Sequence, residues 1–392
     1  MVSIQKVNPL SNEVLEEIGF NWHTDIDGSA YISDSLVNVT HNQAEAYYEV
    51  ANEIYDMMVE AAQYVIDNDL FFEIGIPFNL IEPIKKSWEN DVHWHLYGRF
   101  DFAGGIDGKP IKLIEFNADT PTGLFETAIL QWALLKSNGM DEESQFNNVY
   151  QAIVDNFKRM ITLDEDISGF DEYYDGWKIL FSSIEGNDEE EKTVRLLQMM
   201  ADDAGFINYF EYLHNVKFDE DGIYDADENK YEYWFKLFPW EDIGIEEGEL
   251  AVLIDKIINN QEAIILNPAY TLLFQSKGLL KVVYDLFPDS PYLLPCDINP
   301  LDGVKQVEKK MFGREGANTK IINSNGSIDH QTSGEYADYK SIFQEYAQYP
   351  QDSDGSYYQA GVFFAYEACG LSFRKGGKIL DNMSKFVGHK LV

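Results

Sequence analysis

Apolar residues recur with a helical period over residues 42–66, where Ala51, Ile54, Met58, Ala61 and Val65 fall on one stripe. Thr40, followed three residues later by Gln43, supplies a capping box, so a long amphipathic helix is predicted. The pattern then changes to alternation. Residues 95–102 and 111–118 read as strands, and Gly104, Gly105, Asp107, Gly108 and Pro110 between them are turn chemistry. A hairpin with a loose loop is expected. Helical spacing returns after Pro121, with Thr122 as the expected cap and Gly139 as the stop.

The middle of the chain reads differently. Residues 177–186 form an apolar run ending in glycine, and 188–205 place acids in the first turn of a helix and Gly205 at its end. Residues 206–218 return as a strand, so a βαβ unit and a parallel sheet are predicted. Beyond residue 262 come a strand (262–268), a helix capped by Ser276 (277–287) and a strand–glycine loop–strand segment (307–323). Two aromatic-rich, strand-like stretches follow at 338–350 and 355–374. The class is α/β.

Composition narrows the function. Among 392 residues, 29 Lys and Arg stand against 68 Asp and Glu, a formal charge of −39. That balance excludes nucleic acid and an anionic membrane surface as partners, because both reward cations. It leaves two readings open, general solubility or attraction of a cationic substrate. A hydrophobic content of 45% with 14% aromatics supports a sizeable core and excludes a disordered chain. Two cysteines cannot form a disulfide framework or a multi-cysteine metal site, and Cys369, in an apolar run, is expected to be buried and inert. The first residues lack the apolar stretch of a signal peptide, and no apolar run is long enough to span a bilayer, so a cytoplasmic location is expected. The acidic stretch 219–230 resembles a calcium loop, but Gly222 does not stand at the sharp-turn position.

Candidate chemistry concentrates in the hairpin. Alternation puts Arg99 and Asp101 on one face of the first strand, and Glu115 and Asn117 on one face of the second. One antiparallel register sets Asp101 across from Glu115 and Arg99 across from Asn117. Facing carboxylates destabilise a sheet unless something neutralises them. Two carboxylates and an amide oxygen suit Mg²⁺, whose remaining positions waters and phosphate oxygens can fill. Alternatively, Arg99 neutralises both acids in a structural network. The segment 309–318 sets Lys309, Lys310 and Arg314 around Gly313 and Gly316, which reads either as a phosphate-binding loop or as an exposed basic turn. It is not a Walker A motif. Lys277 and Arg374, taken alone, read as solvated cations. His93 and His95 share a predicted strand face but lack a third ligand, and neither HExxH nor GxSxG occurs.

The segments RFDF (99–102), LIEFNADTPTGLFE (113–126), FKLFPWE (235–241), SKGLLKVVYDLFPDSPYLLP (276–295), KKMFGREGAN (309–318) and GLSFRKGGKILDNMSKFVGH (370–389) resemble, in that order, the synthetase region of the glutathionylspermidine synthase family. The resemblance implies an ATP-grasp fold, with residues 1–150 and 262–392 as the catalytic part and 151–261 as a pre-ATP-grasp-like substrate domain. It implies an ATP-dependent ligase that joins a peptide-like carboxylate to an amine, a polyamine among the candidates, through an acyl phosphate. By the same resemblance Asp101, Glu115 and Asn117 are the magnesium ligands. Lys277 and Lys309 hold ATP phosphates, Gly316 and Arg314 belong to a glycine lid, and Gln344 and Glu345 lie at the base. Arg99 sits beside phosphate and carboxylate, Arg374 near the transferred phosphoryl group, and Thr120 and Thr122 against a thiol-peptide substrate. The chain departs from the family pattern in lacking the amidase domain of bifunctional members. Lys310 and Gly388 stand where prolines are expected, and Ser372 and Phe373 alter the approach to Arg374. These departures bear on substrate identity more than on nucleotide chemistry. A nucleotide-binding pseudoenzyme and a kinase without amide formation are the alternatives.

Overall fold

The computed structural model describes residues 1–392. The long helix spans His41–Asp67, and Thr40 and Gln43 cap it reciprocally, as their spacing predicts. It packs on a five-stranded antiparallel sheet in the order 385–387, 367–376, 357–365, 98–103, 112–117. The last two strands are the predicted hairpin. Its register pairs Arg99 with Asn117 and Asp101 with Glu115, and a bulge follows Asp101. Phe100 and Phe116 stack on the opposite, core-facing side with centroids 3.8 Å apart, which pins that register.

A second antiparallel sheet runs 296–297, 341–345, 306–310, 320–322, 328–331. It sets Val307 against Gln344 and Lys309 against Ile342, so two distant segments share one surface. The third sheet is parallel, as the βαβ pattern predicts, in the order 264–266, 233–236, 178–183, 207–212. Gly205 ends its first crossover helix with φ +99°, the left-handed conformation that glycine adopts without a Cβ penalty. After strand 207–212 the chain crosses to the other side of strand 178–183. The carboxyl ends of 178–183 and 233–236 therefore bound a switch-point crevice, where open parallel sheets bind ligands.

Several local expectations are corrected. The strand expected over 206–218 stops at Tyr212, and Lys217–Asp219 joins a small antiparallel sheet with 222–224 and 230–231. The acidic stretch forms the turns of that sheet, and Asp225 accepts from the backbone of Asp227 and Asn229. The parallel sheet takes strand Ile264–Leu266 from beyond residue 261, so it crosses the boundary expected there. Thr122 does not cap a helix. Gly123 turns the chain at φ +79°, and Glu126–Leu130 form a π turn before helix Gln131–Ser137. Ser276 accepts from Gly278 N two residues on and donates to Ile74 O, and the helix behind it covers only Leu279–Leu286. His93 and His95 lie outside any strand, and burial pushes each down to about 4. The His95 ring is neutral, with Nε2 donating to Ala118 O (3.1 Å) and Nδ1 accepting from Tyr55 (3.3 Å). Cys369 is buried, its Sγ donating to Phe363 O. No helix is long and apolar enough to cross a membrane.

Candidate active site

The acid hairpin lies where two cavities meet. Asp101 is 3% exposed and receives a bidentate contact from Arg99, Nε to Oδ1 at 2.7 Å and Nη2 to Oδ2 at 3.0 Å. Arg99 Nη1 donates to Thr122 O (2.6 Å). Asn117 Nδ2 donates to Asp101 Oδ2 (3.2 Å), which leaves its Oδ1 as a free acceptor. Glu115 is paired with Lys277 at 3.2 Å. Burial opposes ionisation of Glu115, but Lys277 and Lys309 overcome it and hold the carboxyl down to about 2. In the free chain, then, cations neutralise both acids, but Arg99 serves only Asp101 and Lys277 takes Glu115, rather than Arg99 serving both as the structural alternative had it. The donor set also fits a hard cation, with two carboxylates and an amide oxygen at paired positions of one sheet face. Asp101, Glu115 and Asn117 are the residues that would hold Mg²⁺.

The first cavity brings together Glu115, Lys277, Lys309, Gly316, Gln344 and Glu345. These come from four separate stretches of sequence. Lys277 Nζ donates to Gly313 O (2.6 Å), and Lys309 Nζ donates to Ile114 O (2.7 Å). Burial pushes the Lys309 ammonium down to about 8, with Lys277 adding to the effect and Glu115 opposing it. Val307 and Ile321 on the sheet and Ile379 and Leu380 from a later loop form apolar walls, the composition of a slot for a flat ring. Gly316 adopts φ +65°, and a Cβ there would meet Leu380 O at 2.3 Å. Only glycine fits.

The second cavity shares Glu315 and Gln359 with the first and is lined by Arg99, Asp101, Thr122 and Arg374. Arg374 Nη2 donates to Asp381 O (2.6 Å), and its Nε is buried without a partner. Across from these cations stand acids that the sequence reading did not single out. Glu189 and Glu190, in the first turn of helix Asp188–Ala204, line the cavity beyond the carboxyl end of strand 178–183. Burial, reinforced by Glu126, pushes Glu189 up to about 8. Glu126 is fully buried in the π turn, where Oε1 accepts from Trp22 and Tyr31 at 3.1 Å each. Glu126 Oε2 and Glu190 Oε2 have no partner. In sequence the pair at 189–190 passes for ordinary helix-start acids. Only the parallel-sheet topology reveals its orientation.

Arg314 and Thr120 line neither cavity and instead meet each other. Arg314 Nη1 donates to Thr120 Oγ1 (2.9 Å), while Nη2 and Nε contact Glu241 Oε1 at 2.6 and 3.2 Å. Glu241 is 2% exposed. Arg314 is thus fastened to the parallel-sheet region. Beneath it Lys236 Nζ and Asp119 Oδ1 form a fully buried pair at 2.9 Å, and Trp240 N donates to Asp119 Oδ2. These contacts tie the loop after the acid hairpin to the Pro-Trp-Glu turn at 239–241. Sequence reading took both segments as family signatures without seeing that they clasp.

Antiparallel sheets that carry phosphate-suited lysines, a parallel-sheet region beside them and a cleft between define an α/β scaffold of the ATP-grasp ligase type. A glutathione synthetase-like effector from Globodera pallida, solved in apo form, shares the fold with a TM-score of 0.58 and 12% identity, over 99% of this chain and 100% of that one. The family model described as glutathionylspermidine synthase preATP-grasp matches residues 2–392, and the chain belongs to that family. A Haemophilus influenzae protein with the provisional name acid–amine ligase is 27% identical over 96% of each chain. The bifunctional glutathionylspermidine synthetase/amidase of Escherichia coli is 24% identical over 83% of this chain and 54% of its own length.

Proposed function

We propose that the chain is an ATP-dependent carboxylate–amine ligase that forms an amide bond through an acyl phosphate. The observation that carries this reading is the meeting of two unlike cavities at Asp101 and Glu115, one with lysines and apolar walls, the other with arginines facing acids. Phosphoryl transfer needs positioning and charge compensation more than covalent help from the protein. Lys277 and Lys309 would hold the triphosphate, with the base between the apolar walls beside Gln344 and Glu345. A magnesium ion bound to Asp101, Glu115 and Asn117 would neutralise charge on the phosphate oxygens.

Arg99 and Arg374 would orient the acid so that its carboxylate oxygen attacks the terminal phosphorus and ADP leaves. Thr122 sits at this end of the cavity, next to the Arg99 contact. The amine, drawn as a cation by Glu189 and Glu190, gives one proton to the Glu189 carboxylate, attacks the acyl carbon and passes its second proton to the departing inorganic phosphate. The loop around Gly313 and Gly316, with Arg314, would exclude water from an intermediate that otherwise hydrolyses. In this division of labour residues 1–150 and 262–392 supply the nucleotide chemistry. The parallel-sheet segment, 151–261 with strand 264–266 added, presents the amine end.

The test is a panel of thiol peptides and amines, read for ADP release and, by mass spectrometry, for the joined product. ADP release dependent on both substrates, together with the mass of their condensation product, is the expected result. Nucleotide binding without turnover on any pair would make the chain a binding protein. A stable phosphorylated acid with no amide would make it a kinase.

A further inference from the structure

A third cleft stands apart from both cavities. Its walls are the rings of Tyr55, Trp94, Tyr270, Phe364 and Tyr366. They converge from the long helix, the loop before the acid hairpin, the turn before residue 271, and the hairpin 357–376. Tyr55 stacks on Phe364 with centroids 4.1 Å apart, and Trp94 lies nearly parallel to Tyr366 at 6.4 Å. Strand 357–365 connects this place to the active site. Gly361 pairs with Asp101, and Tyr366 lies five residues further along, about 17 Å at the rise of a strand.

The polar lining is sparse and of one sign. Asp56 is exposed and supplies a carboxylate, and no lysine or arginine lines the cleft. His95 is neutral with both ring nitrogens engaged. Asn52 spends its amide on Tyr48 O and on the backbone of Ala368. Tyr366 is the single residue between the paired ends Ala365 and Glu367, and it is 41% exposed. It holds φ +67°, where glycine would fit without strain. One face of that ring already holds the Arg159 guanidinium, 4.3 Å from its centre.

We propose that this cleft is a binding site for an organic ammonium cation bearing alkyl groups, with its charge beside Asp56 and its alkyl groups against the aromatic walls. Aromatic faces attract cations through their quadrupole, and a weakly hydrated alkylammonium surrenders less hydration than a metal ion does. The carboxylate adds charge complementarity, and five rings supply the apolar contact that simple ions cannot use. The site is independent of the ligase reading.

The test is a calorimetric titration of the whole chain with tetramethylammonium chloride, against sodium chloride at equal ionic strength. Saturable binding of the organic cation alone is expected. Tyr366→Gly removes a wall while relieving the left-handed backbone, so the fold is retained, and affinity should fall about fivefold. Asp56→Asn should weaken it about threefold, and Glu189→Gln should leave it unchanged. The proposal is overturned if wild type shows no saturable heat. It is equally overturned if Glu189→Gln abolishes binding that Tyr366→Gly leaves intact, because the cation would then sit in the second cavity.

Discussion

The two cavities that meet at the acid hairpin follow opposite electrostatic plans. In the first cavity the cations are already satisfied, Lys277 by Glu115 and Gly313 O, Lys309 by Ile114 O. On the other side Glu190 and Arg374, which line the second cavity, each keep a buried polar atom without a partner. An unmatched buried polar group costs about 1–3 kcal/mol, so the second cavity stores a penalty that an incoming ligand removes. Binding there completes a network. Under the proposed function, nucleotide binding in the first cavity would exchange one network for another, with phosphate replacing Glu115 as the partner of Lys277. That exchange would leave Glu115 in need of a cation, a physical reason for a nucleotide and a metal ion to bind together under the proposed function.

Glu115→Gln breaks that coupling most directly. It removes a carboxylate from the metal set and the internal partner of Lys277, and ADP production should fall about 10³-fold. Steady-state ADP release measures it, and turnover within tenfold of wild type would remove Glu115 from the metal site. Asp101→Asn probes the same face through stability. Arg99 would remain buried beside a neutral amide, and loss of one partner of a buried pair costs about 3 kcal/mol. Urea unfolding at pH 7 should show this, and an unchanged midpoint would mean that Thr122 O alone suffices for Arg99. Arg314 tests the seam between the regions. Arg314→Ala should lower kcat about 10²-fold while nucleotide affinity stays within about threefold. A loss confined to nucleotide affinity would instead mark it as an ordinary phosphate contact.

The same contrast explains what the sequence discloses. The acid hairpin is legible because strand alternation and a fixed register follow from local pattern, and Phe100 and Phe116 leave only one face for the acids. The βαβ unit is legible for the same reason. Glu126 was hidden by a π turn that no periodicity announces, and Glu189 by a position that suits any helix start. The Arg314–Glu241 contact joins residues 73 apart, and the Lys236–Asp119 pair residues 117 apart. Such contacts depend on how sheets pack, which spacing along the chain does not encode. The early stop of strand 207–212 reflects tertiary pairing that overrides an apolar run. Tyr366 is the converse case, a residue ill suited to its backbone conformation that passes unnoticed in an aromatic strand pattern.

Opposite plans should give opposite responses to pH. Lys309 in the empty protein titrates at about 8, lowered chiefly by burial. A triphosphate favours its charged form, so nucleotide binding takes up a proton wherever free Lys309 is neutral, and affinity falls as pH rises through 8. From the ionised fraction, the loss between pH 8 and 9 is about fivefold. Glu189 also titrates at about 8, raised chiefly by burial and then by Glu126. A cationic amine favours its carboxylate, so amine binding releases a proton below pH 8, and affinity gains about fivefold between pH 7 and 8. Calorimetry with a non-hydrolysable ATP analogue and, separately, with a polyamine reads both slopes on one preparation. Lys309→Met should flatten the first and Glu189→Gln the second, each leaving the other in place. Two slopes of the same sign would mean that one titrating group serves both ligands, and the division into an exchanging cavity and a completing cavity would fail.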